Sequence, residues 1–378
     1  LYLFIIWEKS RNKTDEILQD LKRNYLIRDV YEIKWSNEKF LNNLRRFYGK
    51  SLPDVKVKAE LCGTGPFLII IISDLKPRYN IIENKFEDDL VNSNIDQSKK
   101  KYRRWIGKEF TVHSSISDNE TNHNLTLLFG KNTIDFEKEL SRSWDGSIKK
   151  REIDLAGANG WKNMEELLYV MNGTVNYVIL RNFEGMPTKF DYHDVDLLVV
   201  EDKLPYIVNK DFSPPRDNPR AIRFEVGNKK IVFNPNYLGD NYYDERWEVD
   251  ILKRRTLHHN EFYIPSKIDY FYTLLYHVTF HKRWKKVGKI SDKYKELLVN
   301  LGKESNIEEI TATTLNDIDH AKKIVDTYMK KMSYRYTDTF QYKLQHSEFK
   351  RLIKSAIYIG KTEGTHVLIM AIIRKIIK

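Results

Sequence analysis

The sequence predicts an α+β protein made of two mixed modules and a helical extension, and three observations carry that expectation. Its 378 residues exceed the roughly 100–200 of an ordinary domain. Apolar runs of strand length alternate with helix-spaced segments up to about residue 130, and again after about residue 160. From Ser266 onward the spacing is helical. We expect modules at 1–145 and 160–300 and the extension at 301–378.

Residues 1–6 form an apolar run of strand length, and residues 14–25 carry Ile17, Leu18 and Leu21 at helical spacing. A second strand is expected at 30–35, followed by a helix capped by Ser36 that runs to Tyr48 with Phe40, Leu41 and Leu44 on one side. Gly63-Thr64-Gly65-Pro66 turns the chain into a strand at 67–73. A helix at 97–105, a strand at 110–113 and a helix at 121–129 complete the first module. Gly146, Gly157 and Gly160 punctuate the polar stretch that separates the modules. In the second module a helix is expected at 164–171, a strand or helix start at 175–180 and a buried strand at 194–200. Two alternating runs around Gly227-Asn228 read as a hairpin. Ser266 with Asp269, just after Pro265, opens the helical tail as a capping box does.

Composition narrows the function classes. Hydrophobic residues at 41%, with 7 Trp, 23 Tyr and 18 Phe, argue against disorder. A single cysteine, Cys62, leaves no internal disulfide framework, so a reducing, cytoplasmic setting is expected and the Asn-x-Ser/Thr matches read as chance. No apolar run approaches the roughly 20 residues of a membrane span. A formal charge of +11 favours anionic partners such as nucleotides, phosphorylated sugars and other phosphorylated small molecules, nucleic acid or acidic lipid headgroups, or else reflects a lysine-rich solvated surface. The basic residues are dispersed and form no recognised nucleic-acid motif.

The most informative chemistry lies at Asp194-Val195-Asp196. Alternation along a strand puts both carboxylates on one side while Val195 and Leu197 face the core. Two carboxylates so placed can share Mg²⁺ or Mn²⁺, which take hard oxygen ligands and leave room for substrate phosphates. The stretch resembles the nucleotidyltransferase superfamily, the fold of DNA polymerase β, in which a glycine-containing loop precedes Asp-x-Asp by about a dozen residues. Leu180-Arg181-Asn182 stands at the loop, so the resemblance implies that Arg181 and Asn182 bind phosphate through side chains. It also implies a third carboxylate on a neighbouring strand, for which Glu225 is best placed and Asn234 occupies the following strand. On this reading Asp196→Asn abolishes metal binding without lowering stability, because it relieves repulsion within the pair. The segment 239–244 with Trp247 is either a loop over the acceptor site or a tyrosine-stabilised turn. His277 and His281, four apart on the tail helix, are expected to pack or to face phosphate rather than to hold zinc.

In the first module His113 ends a strand before Ser114-Ser115, where an imidazole can act as a nucleophile toward phosphate. Read with residues 16–18, with Phe47-Tyr48 and with Gly65-Pro66-Phe67, this order resembles nucleoside diphosphate kinases. The resemblance implies a ferredoxin-like fold with Tyr48 and His113 lining one cavity. Trp7 stands where that family has a lysine and Phe110 where it has an asparagine; Lys100 and Arg103 are the candidates for its nucleotide-holding arginines. Kinase activity is therefore expected to be absent.

Together these readings predict a ferredoxin-like, NDP-kinase-like domain, a central nucleotidyltransferase-like mixed sheet and a helical C-terminal extension. The expected activity is Mg²⁺-dependent transfer of a nucleotidyl or related phosphoryl group to an acceptor hydroxyl. The alternative is a non-catalytic nucleotide-binding or scaffolding protein.

Overall fold

A computed structural model describes residues 1–49, 52, 54–84, 86–107, 110–188, 194–200, 203–209, 221–259, 261–281, 290–307 and 310–337. Residues 338–378 of the expected helical extension and residues 189–193, just before Asp194, lie outside that set. The chain is a mixed α+β protein with two compact units, one of Leu1–Tyr237 with Ile251–Ser266, the other of Leu238–Asp250 with the described residues from Lys267 on.

The first unit opens with β1 (Tyr2–Ile6), α1 (Thr14–Asn24), β2 (Leu26–Lys34), α2 (Phe40–Tyr48), α3 (Val55–Cys62) and β3 (Phe67–Ser73). A hairpin of β4 (Tyr79–Ile82) and β5 (Asp89–Asn92) follows, then α4 (Ser93–Ile106), β6 (Val112–Ser114), α5 (Asp118–Phe129), α6 (Thr133–Glu137) and β7 (Lys149–Glu152). The strand order is β6-β1-β3-β2-β7. β3 runs antiparallel to both β1 and β2, β6 runs antiparallel to β1, and β7 joins β2 in parallel.

Every residue of β1 is buried and Phe67 to Ile72 are fully so. That is why these two strands read as unbroken apolar runs: helices cover both sides of them. One face packs Phe4, Ile6, Ile70 and Ile72 against Ile17 and Leu21 of α1 and Ile95 and Tyr102 of α4. Toward the other, Trp7 meets Phe67 at 4.5 Å and Trp35 at 5.5 Å between ring centres. Each large side chain so buried stabilises the fold by about 1.5–3 kcal/mol.

The structure moves several expected boundaries. Ser36 does not cap α2; its hydroxyl donates to Asp154 at 2.8 Å, and the helix begins four residues later. α4 begins at Ser93 because the Asn92 side chain accepts the amides of Asn94 and Ile95. The strand expected at 110–113 is β6, and Phe110 precedes it with φ 66°. The glycine-punctuated stretch supplies β7 as a fifth strand.

The same unit continues through α7 (Met164–Thr174), β8 (Tyr177–Ile179), β9 (Asp194–Val199), α8 (Leu204–Val208), β10 (Ile222–Val226) and β11 (Lys229–Tyr237). Their sheet has the order β10-β11-β9-β8, with β9 and β11 parallel and the outer pairs antiparallel. After α9 (Glu245–Lys253), β12 (Thr256–His258) and β13 (Phe262–Ile264) form a hairpin. α7 lies close against α5: Asn122 donates to Gly173 O at 3.3 Å. His123 is buried between the carbonyls of Phe47 and Thr174, 3.3 Å from each, and burial pulls it down to about 3.

The second unit is helical, with α10 (Lys267–Tyr276) running into a π-helical turn at His277–His281, then α11 (Asp292–Glu304) and α12 (Ile318–Met332). Its core is aromatic. Trp247 stacks on Tyr334 with rings 11° from parallel, and Tyr272 stacks on Tyr328 at 3.6 Å. No helix among the described residues is long and apolar enough to cross a membrane.

Candidate functional site

β9 displays its two aspartates as strand alternation requires. Asp194 is exposed and Asp196 partly so, whereas Val195 and Leu197 are buried. The parallel register sets Val232 of β11 opposite Asp194 and Asn234 opposite Asp196. The neighbour of the carboxylate pair is therefore an amide. Glu225 lies on β10, opposite Lys230 and separated from β9 by the whole of β11. That is two strand spacings, roughly 10 Å. The exposed side chains of Arg223, Glu225 and Lys230 share this face with the aspartates.

The chain after β8 comes back onto the same site. The Leu180 amide donates to Asp196 O at 2.9 Å, and Arg181 Nε donates to Asp196 Oδ2 at 2.9 Å. Arg181 is 4% exposed and the Asp196 side chain 26%. The guanidinium expected to meet phosphate thus pairs with one of the two aspartates, as a buried cation does when a carboxylate is within reach. Asn182 has φ 61°. Asparagine is the residue that best tolerates this left-handed conformation after glycine. Arg181 is brought onto Asp196, next to Asp194 on the same strand face, and Glu225 stands apart.

His113 and Tyr48 are also brought together, although 65 positions separate them (113 − 48). Their ring centres are 5.6 Å apart with planes at 88°, and Phe47 lies 5.4 Å from the imidazole. Asn124 Nδ2 donates to His113 Nε2 at 2.9 Å, and Glu120 Oε1 lies 3.8 Å from the same nitrogen. Burial first, then the cations Lys99, Lys58 and Arg103, holds His113 well below the ordinary imidazole range. That direction favours the neutral ring and agrees with Nε2 acting as an acceptor. Burial raises the Tyr48 hydroxyl, and desolvation raises the Glu120 carboxyl against the lowering effect of its bond from Ile116 N.

Lys58 was not among the expected site residues. Its ammonium lies 4.8 Å from the Tyr48 ring centre and 5.9 Å from that of Trp7, so the cation here comes from α3 and not from the end of β1. A signal was present in the sequence. Val55, Lys58, Ala59 and Cys62 are spaced i, i+3, i+4, i+7, which puts a lysine in the apolar stripe of a short helix.

In the second unit His281 Nε2 lies 3.2 Å from Tyr242 O, and its ring packs 4.2 Å from that of Tyr242. The segment 239–244 is tied to Glu248, whose carboxylate accepts the amides of Gly239 and Tyr243 at 2.8 and 3.0 Å. Among the described residues no group of three or more His, Cys, Asp or Glu side chains is placed to hold a metal ion. Comparison with protein families, curated proteins and solved structures returned no match to this chain.

Proposed function

We propose that the chain is a Mg²⁺-dependent transferase that moves a nucleotidyl or related phosphoryl group to an acceptor hydroxyl, with Asp194 and Asp196 as its metal ligands. The observation that carries this reading is the shared face of β9, where two carboxylates stand beside the Asn234 side chain over a strand whose other face is buried. Two carboxylates and an amide oxygen suit Mg²⁺, which binds through one or two carboxylates and completes its shell with water and phosphate. Bound there, the metal would neutralise phosphate charge. The left-handed turn at Asn182 and the helix-strand-strand order of α7, β8 and β9 support a nucleotidyltransferase-like arrangement. The order β6-β1-β3-β2, with two helical crossovers, likewise supports a ferredoxin-like first sheet.

A second reading is favoured by a specific feature. Arg181 already neutralises Asp196 and Asn234 replaces the acid on the adjacent strand, which suits a nucleotide-binding protein that does not turn over. Mn²⁺ titration followed by electron paramagnetic resonance, with radiolabel transfer from nucleoside triphosphates measured in parallel, separates the two. Asp194→Asn is expected to weaken Mn²⁺ binding at least about tenfold, the scale of one lost charged ligand interaction. Equal Mn²⁺ affinity in the parent and in Asp194→Asn would end the metal-site reading; binding without transfer selects the second.

A further inference from the structure

The hairpin of β4 and β5 stands outside the two larger sheets of the first unit. Among the described residues β4 pairs with β5 and with no other strand. β5 faces the body of the unit, where the Asn92 amide donates to Ile116 O at 2.7 Å and both Val91 and Asn92 are buried. β4 is the outer strand, and its residues Tyr79-Asn80-Ile81-Ile82 are all exposed. The register sets Tyr79 opposite Asn92 and Ile81 opposite Leu90, so Tyr79, Ile81 and Leu90 share one face of the hairpin. Ile81 is 65% exposed. Edge strands are ordinarily blunted by a charge, a proline or a bulge, and β4 carries none of these within its bounds. A two-stranded hairpin is also marginal by itself.

Charge along β4 runs in one direction. Lys76 and Arg78 precede the strand, whereas Glu83, Glu87, Asp88 and Asp89 outnumber Lys85 at its far end. Asp74, the acid at the basic end, accepts from the side chains of Asn92 and Asn94 at 3.0 and 2.9 Å. An antiparallel neighbour of the same sequence brings each basic end to the partner's acidic end; a parallel one would set like charges together. We propose that β4 is the docking edge for a second copy of this chain, which adds its own β4 antiparallel across a two-fold axis and joins the hairpins into one four-stranded sheet. Residues directly opposite each other on paired strands point to the same side. The axis therefore pairs residues of equal parity, and the apolar faces of the two hairpins become continuous. The interface lies apart from the carboxylate face and does not rest on the transferase reading.

The test is sedimentation equilibrium under reducing conditions from about 1 to about 200 µM, the range suited to a small interface. The mean mass should rise from the 45.1 kDa of one chain toward twice that value. Ile81→Lys puts a charge in the edge and should weaken association at least about tenfold, with Tm unchanged because the side chain is exposed. Arg78→Glu should weaken it as well, and adding Glu83→Arg should restore it, since the double variant reverses both ends of the strand. A mass of one chain throughout the range, association left undiminished by Ile81→Lys, or a double variant no tighter than Arg78→Glu alone overturns the proposal.

Discussion

Asp196 has two roles, and they pull its substitution in opposite directions. Removing one of two neighbouring carboxylates relieves repulsion, which is what the sequence suggests. In the fold, however, the nearest charge to Asp196 is the Arg181 guanidinium at 2.9 Å, itself 4% exposed. Asp196→Asn leaves that cation against a neutral amide and should lower stability by about 1–3 kcal/mol, the range for a charged hydrogen bond that is partly screened. Asp194→Asn, on an exposed side chain, should change it by less than about 0.5 kcal/mol. Urea unfolding of both variants measures the difference, and equal values would show that the Arg181 pair contributes nothing. The two aspartates and their common face were legible because strand alternation is local. The Arg181 contact was not, because it depends on how the chain returns between β8 and β9.

The approach of α7 to α5 sets how closely the two sheets of the first unit are joined. Gly173 makes it possible: a Cβ there would lie 2.3 Å from Thr126 Oγ1 and 2.9 Å from its Cγ2. Gly173→Ala should therefore cost about 1–3 kcal/mol, the scale of overpacking a close contact, despite alanine's better helix propensity. Adding Thr126→Ala should recover part of that loss, since it removes both clashing atoms; a double variant no more stable than Gly173→Ala would locate the strain elsewhere. The long apolar elements β1 and β3 could be read from the sequence with their bounds nearly right. β7 could not. Its residues, Lys149 to Glu152, are all charged, and it is a strand because it pairs with β2. α3 escaped notice for a related reason: eight residues give too few turns for periodicity to stand out.

For the molecule as a whole, two compact units need not share one pH profile. The second contains Glu248, fully buried and pushed up to about 8 by desolvation, with Asp240 and Glu245 adding to the rise against the lowering bonds from Gly239 N and Tyr243 N. A carboxyl raised above its unfolded value of 4.5 takes up a proton on folding, so its contribution is fully present below that value and is lost as pH rises toward about 8. Melting curves between those limits should show Tm falling with pH, and Glu248→Gln should flatten the slope. An identical slope in the variant would assign the dependence to other groups. The net charge of +11 adds a salt-dependent background that both proteins share. By itself the sequence determined the α+β class, the central strands and the common face of Asp194 and Asp196, because periods of two and of about 3.6 are properties of neighbouring residues. Only the tertiary structure decided that Lys58 and not Trp7 brings a cation to Tyr48 and His113, that Asn234 and not Glu225 adjoins the aspartates, and that Arg181 turns inward onto Asp196. Strand order and the pairing of distant side chains are set by contacts between residues far apart along the chain, and local pattern carries no record of which partner will arrive.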